Sequence, residues 1–245
     1  MIVGLLHPGE MGAAVGNALV AAGHTVLWAS EGRSDATHAR AASFEDAGTV
    51  PELAARSEVV FSVVPPHAAR DVAASVQPFG GIYVDANAVA PETARSLGAR
   101  RFVDGGIIGG PAAPRLYLSG AEAAAVAALF AGTNLDARVI SGEVGAASAL
   151  KAAYAGWTKG SAALLLTVRE LAQAEGVEDA LLEEWRLSIP ELEERVDGAE
   201  RSARRKGWRW IGEMEEIARS MTTRDLPAGF HEAAAEVFRR TAEES

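Results

Sequence analysis

The 245-residue chain contains no cysteine. That absence removes a disulfide framework, a thiolate metal site and a cysteine nucleophile together, and it suits the reducing cytoplasm, which is the expected location. Positive charge is also short, with 23 Lys and Arg against 33 Asp and Glu, for a formal net charge of −10. Such a surface repels phosphate backbones and anionic membranes, so neither nucleic acid nor a membrane is an expected partner. No long hydrophobic run is present: the apolar start from Met1 to Leu6 is broken by His7, Pro8, Gly9 and Glu10. It is too short for a signal segment or a membrane span and reads as a buried first strand. The five histidines, His7, His24, His38, His67 and His231, show no spacing that puts two ligands on one helix face, and no metal is expected.

What is present is globular. Hydrophobic residues make up 49% of the chain and charged residues 23%, and the length suits a core domain with a smaller companion. Up to about Ile140, aliphatic runs at 2–6, 25–29, 59–64, 82–85 and 102–104 alternate with alanine-rich helical stretches at 13–22, 68–76 and 91–97. The runs are nearly continuous in apolar character, as strands of a parallel sheet covered on both faces must be. Segments 115–119 and 138–140 flank a helical stretch at 122–130 and read as further strands. After Gly142 the pattern becomes helical, beginning with a long helix over 146–175. Ser188 and Glu191 have capping-box spacing, which predicts a helix start near Pro190. Helices follow at 208–220 and 229–241, separated by a turn at Pro227 and Gly229.

The densest chemical signal lies directly after the first strand, where His7, Pro8, Gly9, Glu10, Met11 and Gly12 open the first helix. In a dinucleotide-binding turn, glycine lets the backbone approach a pyrophosphate, and the helix amino end offers N–H groups to the anion. Gly9 and Gly12 stand at the second and third glycine positions of that fingerprint, while His7 takes the first. After the second strand, Ser30, Arg33 and Ser34 suit a ribose 2′-phosphate and point to NADP. Glu31 beside them leaves NAD possible. The expected fold is therefore an α/β Rossmann-type parallel-sheet domain, residues 1–141, followed by an all-α C-terminal domain, residues 142–245.

Four segments give the chain a resemblance to the β-hydroxyacid dehydrogenase superfamily, which includes 6-phosphogluconate dehydrogenase and imine reductases. Within it, the chain most resembles the branch with a C-terminal domain of unknown function. The first segment is the turn ending at Met11 and Gly12. The second is the strand and loop ending in Val64, Pro65 and Pro66, which the resemblance lays along the nicotinamide, with Asn87 of the third segment standing where relatives carry serine. The third segment runs from Asp85 to Pro91, and the fourth from Gly142 to Lys151, where the resemblance makes Lys151 the catalytic residue. A further likeness begins at Asp104 and offers the amides of Gly109 and Gly110 to a substrate oxygen. Here Gly106 replaces a proline and Ile108 a serine, and Ala155 stands for the asparagine that follows the lysine in relatives.

A lysine near the oxygen of a carbonyl receiving hydride lowers the barrier by donating a proton. Helical spacing puts Lys151, Tyr154 or Ala155, and Thr158 on one face. Ile108, Gly109, Gly110, Tyr154 and Thr158 are thus the substrate-side residues, in a pocket more apolar than in relatives, with Trp157, Trp208 and Met214 as further lining candidates. Trp208 and Trp210 also suit core packing or a dimer contact. The basic cluster of Arg201, Arg204, Arg205, Lys206 and Arg209 suits a solvated helix surface. The function expected is reduction or oxidation of a small carbonyl/alcohol pair by a homodimer. Imine reduction and a non-catalytic NADP-binding sensor are the alternatives.

Overall fold

The computed structural model of the chain describes residues 1–98 and 100–243. They form two compact units, Met1–Lys151 and Ala152–Ser245. The elements of the first are β1 (Ile2–Leu5), α1 (Glu10–Ala21), β2 (Thr25–Trp28), α2 (Asp35–Arg40), β3 (Glu45–Asp46), α3 (Val50–Arg56), β4 (Val59–Ser62), α4 (Ala69–Ser75), β5 (Ile82–Asp85), α5 (Pro91–Ser96), β6 (Phe102–Ile108), β7 (Arg115–Ser119), α6 (Ala123–Ala128) and β8 (Asp136–Val139). Helix α7 (Ala146–Ala174) starts in the first unit and continues into the second, which adds α8 (Glu178–Ser188), α9 (Leu192–Thr222) and α10 (Gly229–Glu243).

One eight-stranded sheet runs in the order β3-β2-β1-β4-β5-β6-β7-β8. Every neighbouring pair is parallel except β6 and β7, which are antiparallel. The continuous aliphatic runs are explained by two separate cores. Val3, Leu5, Phe61, Val84 and Val103 pack with Val15 and Leu19 of α1 and Val126 of α6. The alternate residues Leu27, Val60 and Tyr83 pack with Leu53 of α3 and Val72 of α4. Because successive strand residues point to opposite faces, a strand buried on both sides carries no polar alternation.

The expected parallel sheet is present, with one antiparallel pair at its far edge. A loop of residues 109–114 turns β7 back against β6, and β8 then follows β7 in parallel. The short α2, α3 and β3 were not anticipated. The expected division at residue 141 falls in the loop that leads to α7, while the first unit extends through Lys151.

In the second unit, apolar positions at helical spacing build a core of Ala155, Ala163 and Leu166 from α7, Ala203, Met214 and Ile217 from α9, and Ala234 and Phe238 from α10. Met214 is fully buried there, so it belongs to the core and not to a pocket lining. Trp210 meets Phe238 edge-on with centroids 5.0 Å apart. Lys159 lies 5.4 Å from the Trp210 ring centroid and pairs with Glu213, both side chains mostly buried. Trp208 is 58% exposed, which removes its core reading. A helix does start near Pro190, α9 beginning at Leu192, but the expected capping box does not form: Ser188 is the last residue of α8, its hydroxyl donating to the Glu184 carbonyl at 2.8 Å, and α9 has no side-chain cap. Helix α9 then runs unbroken through Trp208.

Among the described residues no helix is long and apolar enough to cross a membrane. Truncation should separate buried from exposed aromatics. Phe61→Ala is expected to cost about 3–5 kcal/mol in urea denaturation, and Trp208→Ala less than about 0.5 kcal/mol. A near-neutral Phe61→Ala would contradict the packing described.

Candidate functional site

In a parallel sheet all carboxyl ends lie along one edge, and β1 sits between β2 on one side and β4 on the other. The chain therefore leaves β1 and β4 in opposite directions, which opens a crevice at that edge, the position where open α/β sheets bind ligands. The site residues expected in the first unit follow these strand ends. His7–Gly12 follows β1, Ser30–Ser34 follows β2, Val64–Pro66 follows β4, Asn87 follows β5, and Ile108–Gly110 ends β6.

The turn after β1 is tight. The Gly9 N–H donates to the His7 carbonyl at 2.9 Å, and Gly9 itself is the N-cap of α1 with no side-chain cap. A Cβ on Gly12 would lie 2.3 Å from the His7 carbonyl oxygen, so only glycine lets α1 start so close to the turn. A Cβ on Gly9 would meet nothing within 4 Å, leaving the helix amino end open to an anion. Pro8 is buried and Glu10 exposed, while Met11 packs against the core of the sheet. His7 is the unusual member. Burial first, and the charge of Arg33 second, push its pKa down to about 4, and its buried Nδ1 has no hydrogen-bond partner. It is therefore neutral at pH 7.

Beyond β2, Arg33 donates to the Ala29 carbonyl at 3.4 Å, and the Ser34 and Thr37 hydroxyls lie 3.1 Å apart. Arg40, which sequence reasoning missed, donates from α2 to the Pro8 carbonyl at 3.1 Å and to the Thr37 hydroxyl at 3.2 Å. Two guanidinium groups and two hydroxyls thus gather beside the glycine turn. Ser30 interacts with the carboxylate of Asp46, another missed residue, whose pKa is held down chiefly by the Gly48 amide and then by Ser30. Glu31 is exposed, with its backbone N–H bonded to the Gly48 carbonyl.

On the other side of β1, Asn87 is buried and its amide is fully engaged. Its oxygen accepts from the Val64 N–H at 2.6 Å, and its nitrogen donates to the Ser62 hydroxyl and the Asp85 carboxyl. It ties the ends of β4 and β5 together and so sets the path of Val64, Pro65 and Pro66. His67 is exposed.

The next two strands carry adjacent buried acids, with Asp85 of β5 in register with Asp104 of β6. Both are fully buried. Asp104 Oδ2 accepts from the Gly145 N–H at 2.9 Å, the Ser148 N–H at 3.0 Å and the Ser119 hydroxyl at 3.0 Å, and Oδ1 accepts from the Ser148 hydroxyl at 2.5 Å. Asp85 has fewer partners, one of its oxygens having none. Burial, and then the charge of Asp104, push its pKa up to about 8.

Beyond Asp104, α7 rests directly on β6. A Cβ on Gly106 would lie 2.8 Å from the Ala147 carbonyl oxygen and 3.0 Å from the Lys151 Cβ, and the Lys151 ammonium donates to the Ile107 carbonyl at 2.7 Å. Lys151 thereby stands at the carboxyl edge of β6. Ile108 is buried, and Gly109 adopts a left-handed φ of 100° at the start of the following loop. Further along α7, Tyr154 and Thr158 are exposed, the Thr158 hydroxyl donating to the Tyr154 carbonyl. Ala155 does not share their face, being buried in the core of the second unit. Among the described residues no three His, Asp or Glu side chains are gathered in a way that could hold a metal ion.

Residues 2–89 match the family described as NADP oxidoreductase, coenzyme F420-dependent, and residues 172–241 match a domain of unknown function, DUF1932. The first match lies within the first unit and the second within the second unit. An uncharacterised 28.5 kDa protein of Methanothermus fervidus, encoded in a 7S RNA 5′ region, is 34% identical over 137 residues, spanning 54% of this chain and 55% of its own length. A conserved protein of unknown function with reported structural similarity to 3-hydroxyacid dehydrogenases is 28% identical, with a TM-score of 0.74 over 99% of this chain and 97% of that one. The 3-hydroxyisobutyrate dehydrogenase of Salmonella typhimurium shares the fold, with a TM-score of 0.71 over 100% of this chain and 95% of that one at 18% identity.

The buried acids give the site a pH signature. A raised carboxyl pKa stabilises the fold fully below about pH 4, and that contribution is lost as pH rises through about 8. His7 has the opposite sign, its contribution being lost as pH falls from about 6.5 through 4. Asp85→Asn should therefore gain stability over the wild type between pH 5 and 8, by an amount on the order of a few kcal/mol. Denaturation curves at several pH values that stay parallel for the two proteins would contradict the Asp85 assignment.

Proposed function

We propose that the chain is an NADP-dependent oxidoreductase that moves hydride between nicotinamide and the carbonyl or alcohol carbon of a small molecule, with Lys151 as general acid and base. The observation that carries this reading is the position of the Lys151 ammonium at the same sheet edge as the glycine turn, held 2.7 Å from the Ile107 carbonyl. The bound cofactor supplies or accepts the hydride. As a C–H bond forms at the carbonyl carbon, the π pair moves to oxygen, and Lys151 gives that oxygen its proton. In the reverse direction it takes the alcohol proton.

The open amino end of α1, flanked by Gly9 and Gly12 with Pro8, Glu10 and Met11 between and beside them, is the proposed pyrophosphate cradle. The neutral His7 puts no fixed charge in it, and its buried Nδ1 has no hydrogen-bond partner. Arg33 and Arg40, with the Ser34 and Thr37 hydroxyls, form the proposed 2′-phosphate site, and Ser30 faces the ribose. Val64, Pro65 and Pro66, positioned by Asn87, lie along the nicotinamide. Gly109 and Gly110 offer amides to the substrate oxygen, with Ile108 beside them on the substrate side. The second unit exposes Trp157, Leu164 and Phe230 at 68%, 64% and 80%. That apolar face, which is expensive to leave in water, is the proposed contact between two copies of the chain. The cytoplasm is the proposed location.

Three outcomes follow. Arg33→Ala and Arg40→Ala should each weaken NADPH binding about 10- to 100-fold, the worth of a charge-assisted bond to phosphate, while NADH affinity stays within about twofold. An equal loss for both cofactors would overturn the 2′-phosphate assignment. In a screen of ketones, aldehydes, semialdehydes and imines with NADPH, Lys151→Met should lower turnover by at least about 100-fold and leave the NADPH dissociation constant unchanged. Retained turnover would remove Lys151 from the chemistry, and no wild-type turnover on any substrate would make the protein a cofactor-binding sensor. Light scattering should give the mass of a dimer, and Trp157→Glu with Phe230→Glu that of a monomer. A wild-type monomer would defeat the dimer.

A further inference from the structure

A helix is ordinarily capped by the residue next to its first turn. The amino end of α7 is capped instead from another strand. Gly145 and Ser148 donate their backbone N–H groups to Asp104, 41 and 44 residues earlier in the chain. The Ser148 hydroxyl and the Ser119 hydroxyl of β7 complete the shell, and Ser119 also accepts from the Ala147 N–H at 3.1 Å. A cap supplied by a neighbouring residue would stabilise the helix wherever it lay. A cap supplied by a buried strand carboxylate fixes where the helix begins in space, because its amide donors are satisfied only at that point on β6.

Lys151 is three residues beyond Ser148, close to one helical turn. Gly106, two residues past Asp104 and on the same strand face, has no side chain to hold α7 away, and the Lys151 ammonium reaches the next carbonyl, that of Ile107. Anchor, spacer and lysine therefore occupy successive positions along β6. We propose that Asp104 is the positioning residue for Lys151, its carboxylate clamping the amino end of α7 so that the ammonium is delivered to the carboxyl edge of β6. The proposal rests on the reading of Lys151 as the general acid and base, and its test needs no substrate.

Measurement is simplified by composition, since the sequence holds only three lysines, Lys151, Lys159 and Lys206. In protein labelled with 13Cε-lysine, three resonances are assigned by Lys159→Arg and Lys206→Arg and followed with pH. Asp104→Asn keeps the size and one acceptor oxygen but removes the charge. The Lys151 resonance should move, and its titration midpoint should fall by on the order of one unit as the nearby negative charge is lost. Lys159, which pairs with Glu213 in the second unit, should keep its wild-type signal. Of the other ionisable groups on neighbouring strands, Arg115 and Tyr117 on β7 are not altered by this variant, whereas the Asp85 carboxyl on β5, relieved of the Asp104 charge, ionises at lower pH, so the Lys151 midpoint is compared in an Asp85→Asn background, where no negative charge can replace that of Asp104.

Asp104→Ala should enlarge the effect, and Ser148→Ala, which removes one of the four bonds and keeps the charge, should move the Lys151 resonance with little change in midpoint. A Lys151 signal and midpoint identical to wild type in folded Asp104→Asn would overturn the proposal. If neither Asp104 variant folds, an unmoved Lys151 resonance in Ser148→Ala overturns it. A purely structural anchor would shift Lys159 and Lys151 together or leave both alone. Turnover retained by Lys151→Met would defeat the catalytic reading while leaving this result intact, so the two failures are distinguishable.

Discussion

The buried carboxylate of Asp104 is the constraint on which the first unit most depends. An ionised group without access to water costs several kcal/mol unless hydrogen bonds replace its hydration, and here four donors from β7 and α7 do so. The same bonds satisfy the amino end of a 29-residue helix whose first N–H groups have no partners within the helix. Each side thus removes the other's desolvation cost. The neighbouring Asp85 shows the consequence of one charge occupying that space. Burial first, and then the charge of Asp104 beside it, keep its proton on to about pH 8.

Topology turns these local features into a site. Strands that run in parallel bring the turn after β1, the loop after β2, the Val64 loop and the end of β6 to one edge. The long antiparallel partner β7 extends β6 four residues beyond its last pairing with β5, through Gly105 to Ile108. That extension carries the carbonyl that receives Lys151. On the opposite flank, the short α2 gives Arg40 its place against Pro8, so the phosphate-side charges are set by the packing of α2 on the turn.

Much of this was legible in the residues. Continuous aliphatic runs located five of the eight strands because burial on both faces leaves a strong compositional mark, β7 was placed by the segment 115–119, and β8 was placed within two residues of its start. The dinucleotide turn was legible because Gly9 and Gly12 follow a strand directly. Other features were not. Strand β3 is two exposed acidic residues, with no apolar signal to find. Helix α2 buries none of its six residues, so no periodicity marked it, and with it went Arg40. Helix α3 did carry a capping box at Thr49 and Glu52, a signal that was available and unused. The similar letters at Ser188 and Glu191 marked a true helix start, at Leu192, through a cap that does not form, because Ser188 instead bonds back to Glu184 in the last turn of α8. A local pattern of three or four residues cannot tell these cases apart. Asp104 and Lys151 were both visible in motifs, but the clamp between them is a long-range contact that no spacing encodes.

The proposed function rests on NADP binding at the turn and the loop after β2. Calorimetric titration of the wild-type protein with NADPH and with NADH tests it most directly. Saturable binding of one cofactor per chain, with NADPH held at least about tenfold more tightly, is the result expected from Arg33 and Arg40. An NADH preference would assign the ribose side to Asp46 or Glu31 instead, and the absence of heat with either cofactor would contradict the dinucleotide site and the oxidoreductase reading built on it.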